Sequence, residues 1–225
     1  MSAVFVSATG TDVGKTFVTC GLIAHFRAQG SAVEAIKPVL SGFDPQALPQ
    51  SDAGALLAAL GRPLSIAEAE RISPWRFAAP LSPDIAAARE GRAIDFDALA
   101  DFCGKAVAAS RGRLFIEGIG GVMVPLDARH TVLDLITRLR LPFILVAGSY
   151  VGTISHTLTA LHVLARRNID VAAIVISESQ GSAASLDETV ATIARFADSI
   201  DVVGIPRLAD AASRHPAFAR IAQSL

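Results

Sequence analysis

The chain has 225 residues, of which 52% are hydrophobic and 18% charged, so it is long and apolar enough to fold around a substantial core and is not a disordered polymer. Its 20 basic and 21 acidic residues leave a formal net charge of −1, so no broad basic field recruits nucleic acid or an anionic membrane, and any anion site must be local. Its two cysteines, Cys20 and Cys103, lie far apart and form no metal-ligand spacing, which leads us to expect reduced, packed thiols. No basic segment followed by an apolar stretch opens the sequence. The apolar run Leu141 to Gly148 is far below membrane-spanning length, so a soluble, cytoplasmic protein is expected.

The first element organises the rest. Val4-Phe5-Val6 reads as a buried strand, Ser7 to Val13 as a small-residue loop, Gly14-Lys15-Thr16 as its end, and Phe17 to Phe26 as a helix stopping near Gly30. Strand, loop and helix in that order form a phosphate-binding loop: backbone amides and the positive end of the helix dipole face the anion. A lysine at position 15 would reach the outer phosphates, and the Thr16 hydroxyl would ligate Mg²⁺. The strict pattern has glycine five places before Gly14. Thr9 stands there, and the nearest glycine is Gly10.

A second strand, Val33 to Ile36, delivers Lys37-Pro38 to its carboxyl end, the edge along which open parallel sheets bind ligands. Pro38 holds Lys37 extended, although taken alone this is an ordinary solvated lysine in a turn. Phe43 to Gln50 reads as loop, and Ser51-Asp52 caps a helix ending at Gly61. Ser73 to Pro83 is irregular. Helices then begin at Ser82-Pro83 and about Asp95. Leu114 to Gly121 is a third strand carrying Glu117 into a glycine loop, where nucleotide enzymes place a Mg²⁺-directed acid. The remaining chain reads as a helix Thr131 to Arg140, strand Phe143 to Ala147, helix Thr153 to Arg167 and strand Val171 to Ile176. A loop to Ser185, a helix to Ser199, the strand Val202 to Ile205 and a terminal helix complete it. Strands that are apolar on both faces and alternate with helices predict a single-domain α/β fold over residues 1–225, a parallel sheet flanked by helices on both faces. The five histidines form no metal spacing.

Four motifs stand together: Gly14-Lys15-Thr16, Lys37-Pro38-Val39-x-Ser41-Gly42, Ser51-Asp52-Ala53 and Glu117-Gly118-x-Gly120-Gly121. In that order and spacing the chain resembles the dethiobiotin synthetases, P-loop NTPase-type enzymes of biotin synthesis, up to about residue 210, including the tail Gly204-Ile205-Pro206-Arg207-Leu208. The resemblance implies that 7,8-diaminononanoate takes up CO₂ as a carbamate, that ATP phosphorylates the carbamate, and that the second amine closes a cyclic urea. It implies catalytic roles for Lys37, Lys15 and Thr11, with both lysines at the γ-phosphate and carbamate. Nucleotide contacts are implied for Asp12, Val13, Gly14, Lys15, Thr16, Phe17, Asp52, Glu117, Gly118, Ile119, Gly120, Ser177, Glu178, Pro206, Arg207 and Leu208. Thr16, Asp52 and Glu117 match the family's Mg²⁺ ligands, and Thr11 and Ser41 its contacts to the diamine and carbamate. Gly152-Thr153-Ile154-Ser155 matches the helix start that receives the substrate carboxylate from the other subunit of a homodimer with shared active sites. In four places the sequence departs from the family pattern. Ala8 replaces a glycine, Asp12 a glutamate, Ser155 an asparagine, and Ser177 an adenine-reading asparagine, which leaves base selectivity open.

Two other readings share the first loop. Amide ligases related to cobyrinic acid synthetases usually add a glutaminase domain with a nucleophilic cysteine, whereas Cys20 and Cys103 fall in helices. Partitioning-type switch ATPases carry an extra lysine early in the loop, and Thr9 to Val13 contains none.

Overall fold

A computed structural model describes residues 2–208 and 215–225. The elements in chain order are β1 (Ser2–Ala8), α1 (Lys15–Ala28), β2 (Val33–Ile36), β3 (Val39–Ser41), α2 (Asp52–Leu60), α3 (Ile66–Ile72), β4 (Trp75–Phe77), α4 (Pro83–Arg89) and α5 (Phe96–Ala109). They continue with β5 (Arg113–Gly121), α6 (Val132–Leu139), β6 (Phe143–Gly148), α7 (Thr153–Arg166), β7 (Val171–Ser177), α8 (Leu186–Ala194), β8 (Asp201–Ile205) and α9 (Pro216–Gln223).

Six strands form one sheet in the order β2-β5-β1-β6-β7-β8, and every pairing is parallel. The central strands are buried on both faces; β6 has no exposed residue. That is why they read as continuous apolar runs rather than alternating ones. Helices α1, α2 and α9 pack together, as do α5 with α6 and α7 with α8. The crossover from β1 to β2 through α1 runs one way along the sheet and those through α6, α7 and α8 run the other, so right-handed connections put α1 and α6 to α8 on opposite faces. Because β1 and β5 pair in parallel, the loops after them lie beside one another at the carboxyl edge, where a cleft opens. Among the described residues, no helix is long and apolar enough to cross a membrane.

The local signals held where caps and stops were explicit. Ser51 caps α2 by accepting the Gly54 amide at 3.1 Å, and Gly61 ends it in a left-handed conformation. Asp95 and Ser110 flank α5 as expected.

The departures fall mainly in the long crossover between β2 and β5. Val39–Ser41 and Trp75–Phe77 pair as a separate two-stranded parallel sheet, with Val39 opposite Trp75 and Ser41 opposite Phe77. Three-residue strands are too short to show a period, so only the pairing reveals them. Pro45–Gln50 coils as a 3₁₀ helix capped by Asp44, and α3, capped by Ser65, lies in a stretch that the pattern left unassigned. Ser82 precedes α4 as expected, but its hydroxyl bonds the Asp84 carboxylate instead of a backbone amide. α8 stops at Ala194, short of the expected Ser199.

Candidate functional site

Two left-handed residues set the course of the loop after β1. Asp12 has φ 56° and Gly14 has φ 98°, turning the chain so that α1 starts at Lys15. A side chain at Gly14 is doubly excluded, since a Cβ there would lie 2.6 Å from Ser177 Oγ. The first turn of α1 carries no capping side-chain bond and no acidic residue, so its amides are left for an external anion. Lys15 Nζ meanwhile donates to the Gly10 carbonyl at 3.0 Å.

In front of this loop lies a cleft of about 820 Å³. Thr11, Asp12, Gly14, Lys15, Thr16 and Phe17 line it from the loop, with Lys37, Ser41 and Asp52 from the crossover and Ile119 and Gly120 from β5. The Ser41 hydroxyl is buried without a partner. Val13 is buried behind the loop, and Gly118 packs on Phe5. Pro80, Leu81, Ser82 and Pro83 form a wall that sequence reasoning had left as an irregular stretch. The paired prolines were the only available signal, and they mark a rigid turn rather than a site.

At the floor of the cleft a lysine, two carboxylates and a hydroxyl converge. Lys37 Nζ lies 2.7 Å from Asp52 Oδ2 and 2.7 Å from Glu117 Oε1. The Thr16 hydroxyl donates to that same Glu117 oxygen at 2.6 Å. Each partner comes from a fixed mount. Lys37 follows β2 with its amide bonded to the Ile72 carbonyl, Asp52 opens α2, and Glu117 lies within β5 opposite Val6 of β1. Glu117 is fully buried, and its second oxygen, Oε2, has no partner.

Burial alone would lower the Lys37 pKa, but Glu117 and Asp52 outweigh it and hold the ammonium above its ordinary range. Asp52 is likewise held below the usual carboxylate range, because Lys37 more than offsets its desolvation. Lys15 has no such close partner. Burial, then repulsion by Lys37, brings it down to about 8. Cys20 and Cys103 are free, buried and pushed up to about 12, chiefly by burial, so both stay protonated thiols.

The oxygen set fits a hard divalent cation. Lys15 and Lys37 stand against Asp12, Asp52 and Glu117, so an incoming triphosphate requires added positive charge. The unpartnered Glu117 oxygen, the Asp52 carboxylate and the Thr16 hydroxyl are the hard donors that Mg²⁺ takes. Among the described residues, no group of three or more His, Cys, Asp or Glu gathers as an all-protein cage.

The residues expected at the nucleotide base converge at the ends of β7 and β8. Ser177 abuts Gly14, Glu178 N–H donates to the Ile205 carbonyl at 2.9 Å, and Arg207 N–H donates to Glu178 Oε2 at 2.9 Å. Glu178 and Pro206 border a further cavity of about 680 Å³, and Leu208 packs against the core.

The segment Gly152–Ser155 is not brought to the cleft within one chain. It forms the start of α7, where the Thr153 hydroxyl donates to the Gly148 carbonyl at 2.6 Å and Ser155 faces solvent. A groove of about 480 Å³ shares Thr11 and Val124 with the cleft and reaches His156 on α7.

Comparison with known proteins agrees with this layout. The profile of an AAA domain family matches residues 2–213. The chain is 48% identical over 208 residues to an ATP-dependent dethiobiotin synthetase of Caulobacter sp. (strain K31), spanning 92% of this chain and 89% of that protein. It is 46% identical over 196 residues to the same enzyme of Acidiphilium cryptum (strain JF-5), spanning 87% and 88%. Among solved structures, the cell division ATPase MinD of Pyrococcus furiosus superposes with a TM-score of 0.56 at 13% identity, covering all of this chain and 98% of that one. A chain of the MinC:MinD cell division protein complex of Aquifex aeolicus gives 0.55 at 11%, covering 93% and 82%. At such identities the likeness is one of fold alone, a parallel α/β sheet flanked by helices.

Proposed function

The chain belongs to the dethiobiotin synthetase family, and from that premise we propose that it is an ATP-dependent cyclo-ligase converting 7,8-diaminononanoate and CO₂ to dethiobiotin, with release of ADP and phosphate. The observation that carries the reading is the meeting of Lys37, Asp52, Glu117 and Thr16 beside an uncapped helix start. One amine adds to the carbon of CO₂, loses a proton and becomes a carbamate. A carbamate oxygen then attacks the γ-phosphorus, the bond to the ADP oxygen breaks, and a carbamoyl phosphate results. The second amine attacks the carbonyl carbon, phosphate leaves with the C–O bond electrons, and a proton is lost as the urea closes. Phosphorylation is needed because a carbamate oxygen is a poor leaving group.

In this scheme the α1 amides and Lys15 hold the outer phosphates, and Lys37 faces the charge that builds on the transferring phosphoryl group. Its two carboxylate partners fix the ammonium in place and keep it charged. Thr11 and the unpartnered Ser41 hydroxyl, which line the cleft, would orient the carbamate. Thr16, Asp52 and Glu117 would hold Mg²⁺, which supplies positive charge along the triphosphate when bound. Ser177, Glu178 and Pro206 to Leu208 would border the base.

The reading includes a homodimer in which the α7 start of one chain, Gly152 to Ser155, receives the diamine's carboxylate at the other chain's cleft. Two features support it. The segment lies off its own cleft, and two large apolar side chains nearby, Val151 (83% exposed) and Met123 (54%), are left in water. The test is ADP release with and without the diamine and bicarbonate. Release should require both. Hydrolysis that ignores the diamine would replace this reading with a switch ATPase.

A further inference from the structure

Beyond the last pair of the β6–β7 ladder, Gly148 opposite Ser177, the segments that follow the two strands are joined by side chains instead of strand pairing. Ser149 N–H donates to Ser179 Oγ at 3.1 Å, and Ser179 N–H donates to Ser149 Oγ at 2.9 Å. Ser149 is buried, and the Ser182 hydroxyl donates to its carbonyl. The fit at this point is close, since a Cβ on Gly148 would lie 2.6 Å from Ser179 Oγ. Parallel strands splay past their last pair, so the loops that follow take independent positions unless something bridges them. Here the bridge continues on both sides. The Thr153 hydroxyl bonds the Gly148 carbonyl and ties the first turn of α7 to β6, while Glu178, next to Ser179, ties the β7 loop to Ile205 and Arg207. A connected run of hydrogen bonds thus leads from the base-side loop to the start of α7.

We propose that Ser149 and Ser179 are positioning residues that lock the α7 start to the nucleotide-base loop, so that nucleotide bound in one site of the dimer raises diamine affinity in the other. The inference rests on the dethiobiotin synthetase reading with its shared site. The logic is geometric. The α7 start serves the partner's cleft, whereas the base loop serves its own, and the serine pair is the joint between them. A ligand that orders one loop lowers the cost of ordering the other, and the coupling is reciprocal.

The experiment is a calorimetric titration of 7,8-diaminononanoate into the whole protein, without nucleotide and with a saturating non-hydrolysable ATP analogue plus Mg²⁺. The wild type should bind the diamine about fivefold or more tightly with the analogue present. Ser179→Ala and Ser149→Ala should bring that ratio towards one. Ser182→Ala, at a less buried position, should lower it in part and covers the case in which the others fold poorly. A purely structural role would weaken diamine binding equally in both conditions, and an unchanged ratio in all three variants overturns the proposal. A wild-type ratio of one overturns it too and leaves the enzyme reading intact. If the wild type fails to bind the diamine at all, the enzyme reading falls and takes the inference with it.

Discussion

Removing the Lys37 ammonium would strand the buried Glu117 carboxylate with only the Thr16 hydroxyl facing it. Lys37→Met should therefore lose about 3 kcal/mol of stability in denaturant titrations, the usual cost of breaking a buried ion pair. Turnover should drop by about 100-fold or more through the lost charge on the phosphoryl group. Adding Glu117→Gln neutralises the stranded group, so the double variant should regain much of the stability and none of the turnover. Wild-type turnover in Lys37→Met would remove the lysine from the chemistry. Lys15 makes a prediction of its own, because its pKa lies near 8 in the free protein. A bound triphosphate favours the charged ammonium, so ATP binding near pH 8.5 should take up protons, seen as a calorimetric heat that varies with buffer ionisation enthalpy. The uptake should fade towards pH 7. For stability the signs differ between the two lysines. An unfolded Lys15 keeps its proton to about 10.5 while the folded one sheds it near 8, so this group makes folding more favourable as pH rises through that window. Lys37, raised above 10.5, contributes fully below that pH and loses its contribution only as pH climbs through its folded value. Asp52 contributes above its unfolded value near 3.8 and loses that as acid protonates it.

α2 matters less for its length than for where its first turn is held. A Cβ on Gly54 would lie 2.0 Å from the Leu48 carbonyl oxygen, which belongs to the preceding 3₁₀ turn and already accepts from the Ser51 N–H and hydroxyl. Gly54→Ala should cost about 2 kcal/mol in thermal or denaturant unfolding, in the range of overpacked sites. Because Asp52 sits in that same turn, the variant should also need more Mg²⁺ for half-activity. Gly104 in α5 supplies the opposite case. It is exposed, and a Cβ there meets nothing within 4 Å, so Gly104→Ala should stabilise by about 0.5–1 kcal/mol with the metal titration unchanged. If both glycines respond alike, helix propensity rather than the close approach to Leu48 governs α2. The same crossover shows how far local signals reach. Ser51 and Gly61 announced α2 because a cap and a stop are written in single residues. β3 and β4 were illegible because each exists only through the other.

For the whole molecule, the shared-site reading predicts complementation. One chain carries Lys37→Met with Glu117→Gln, and another carries Ser155→Glu, which sets a repelling charge at the start of α7. Each homodimer should be nearly inactive. In a mixed dimer one site takes both lesions and the other takes neither, so random mixing should restore about a quarter of the sites. Co-refolding the variants and measuring dethiobiotin formation is the assay. If activity stays at the homodimer baseline when mass measurements confirm mixed dimers, each site belongs to one chain.

The sequence by itself determined the alternation of apolar strands and capped helices, the phosphate-binding loop and the presence of Lys37, Asp52 and Glu117 at element ends, because periodicity, caps and proline act over a few neighbouring residues. It did not determine that these groups face one another. Thr16 and Glu117 are 101 positions apart, and Lys37 and Glu117 are 80 apart. They meet because the strand order seats β5 between β2 and β1, bringing the β2 end and the loop after β1 to Glu117 from opposite sides. Only the tertiary structure decided the charge states as well. Burial draws Lys15 down to about 8, while two carboxylates hold Lys37 charged beside it. The two lysines look alike in the sequence, and what separates them is the depth and company that the folded chain gives each.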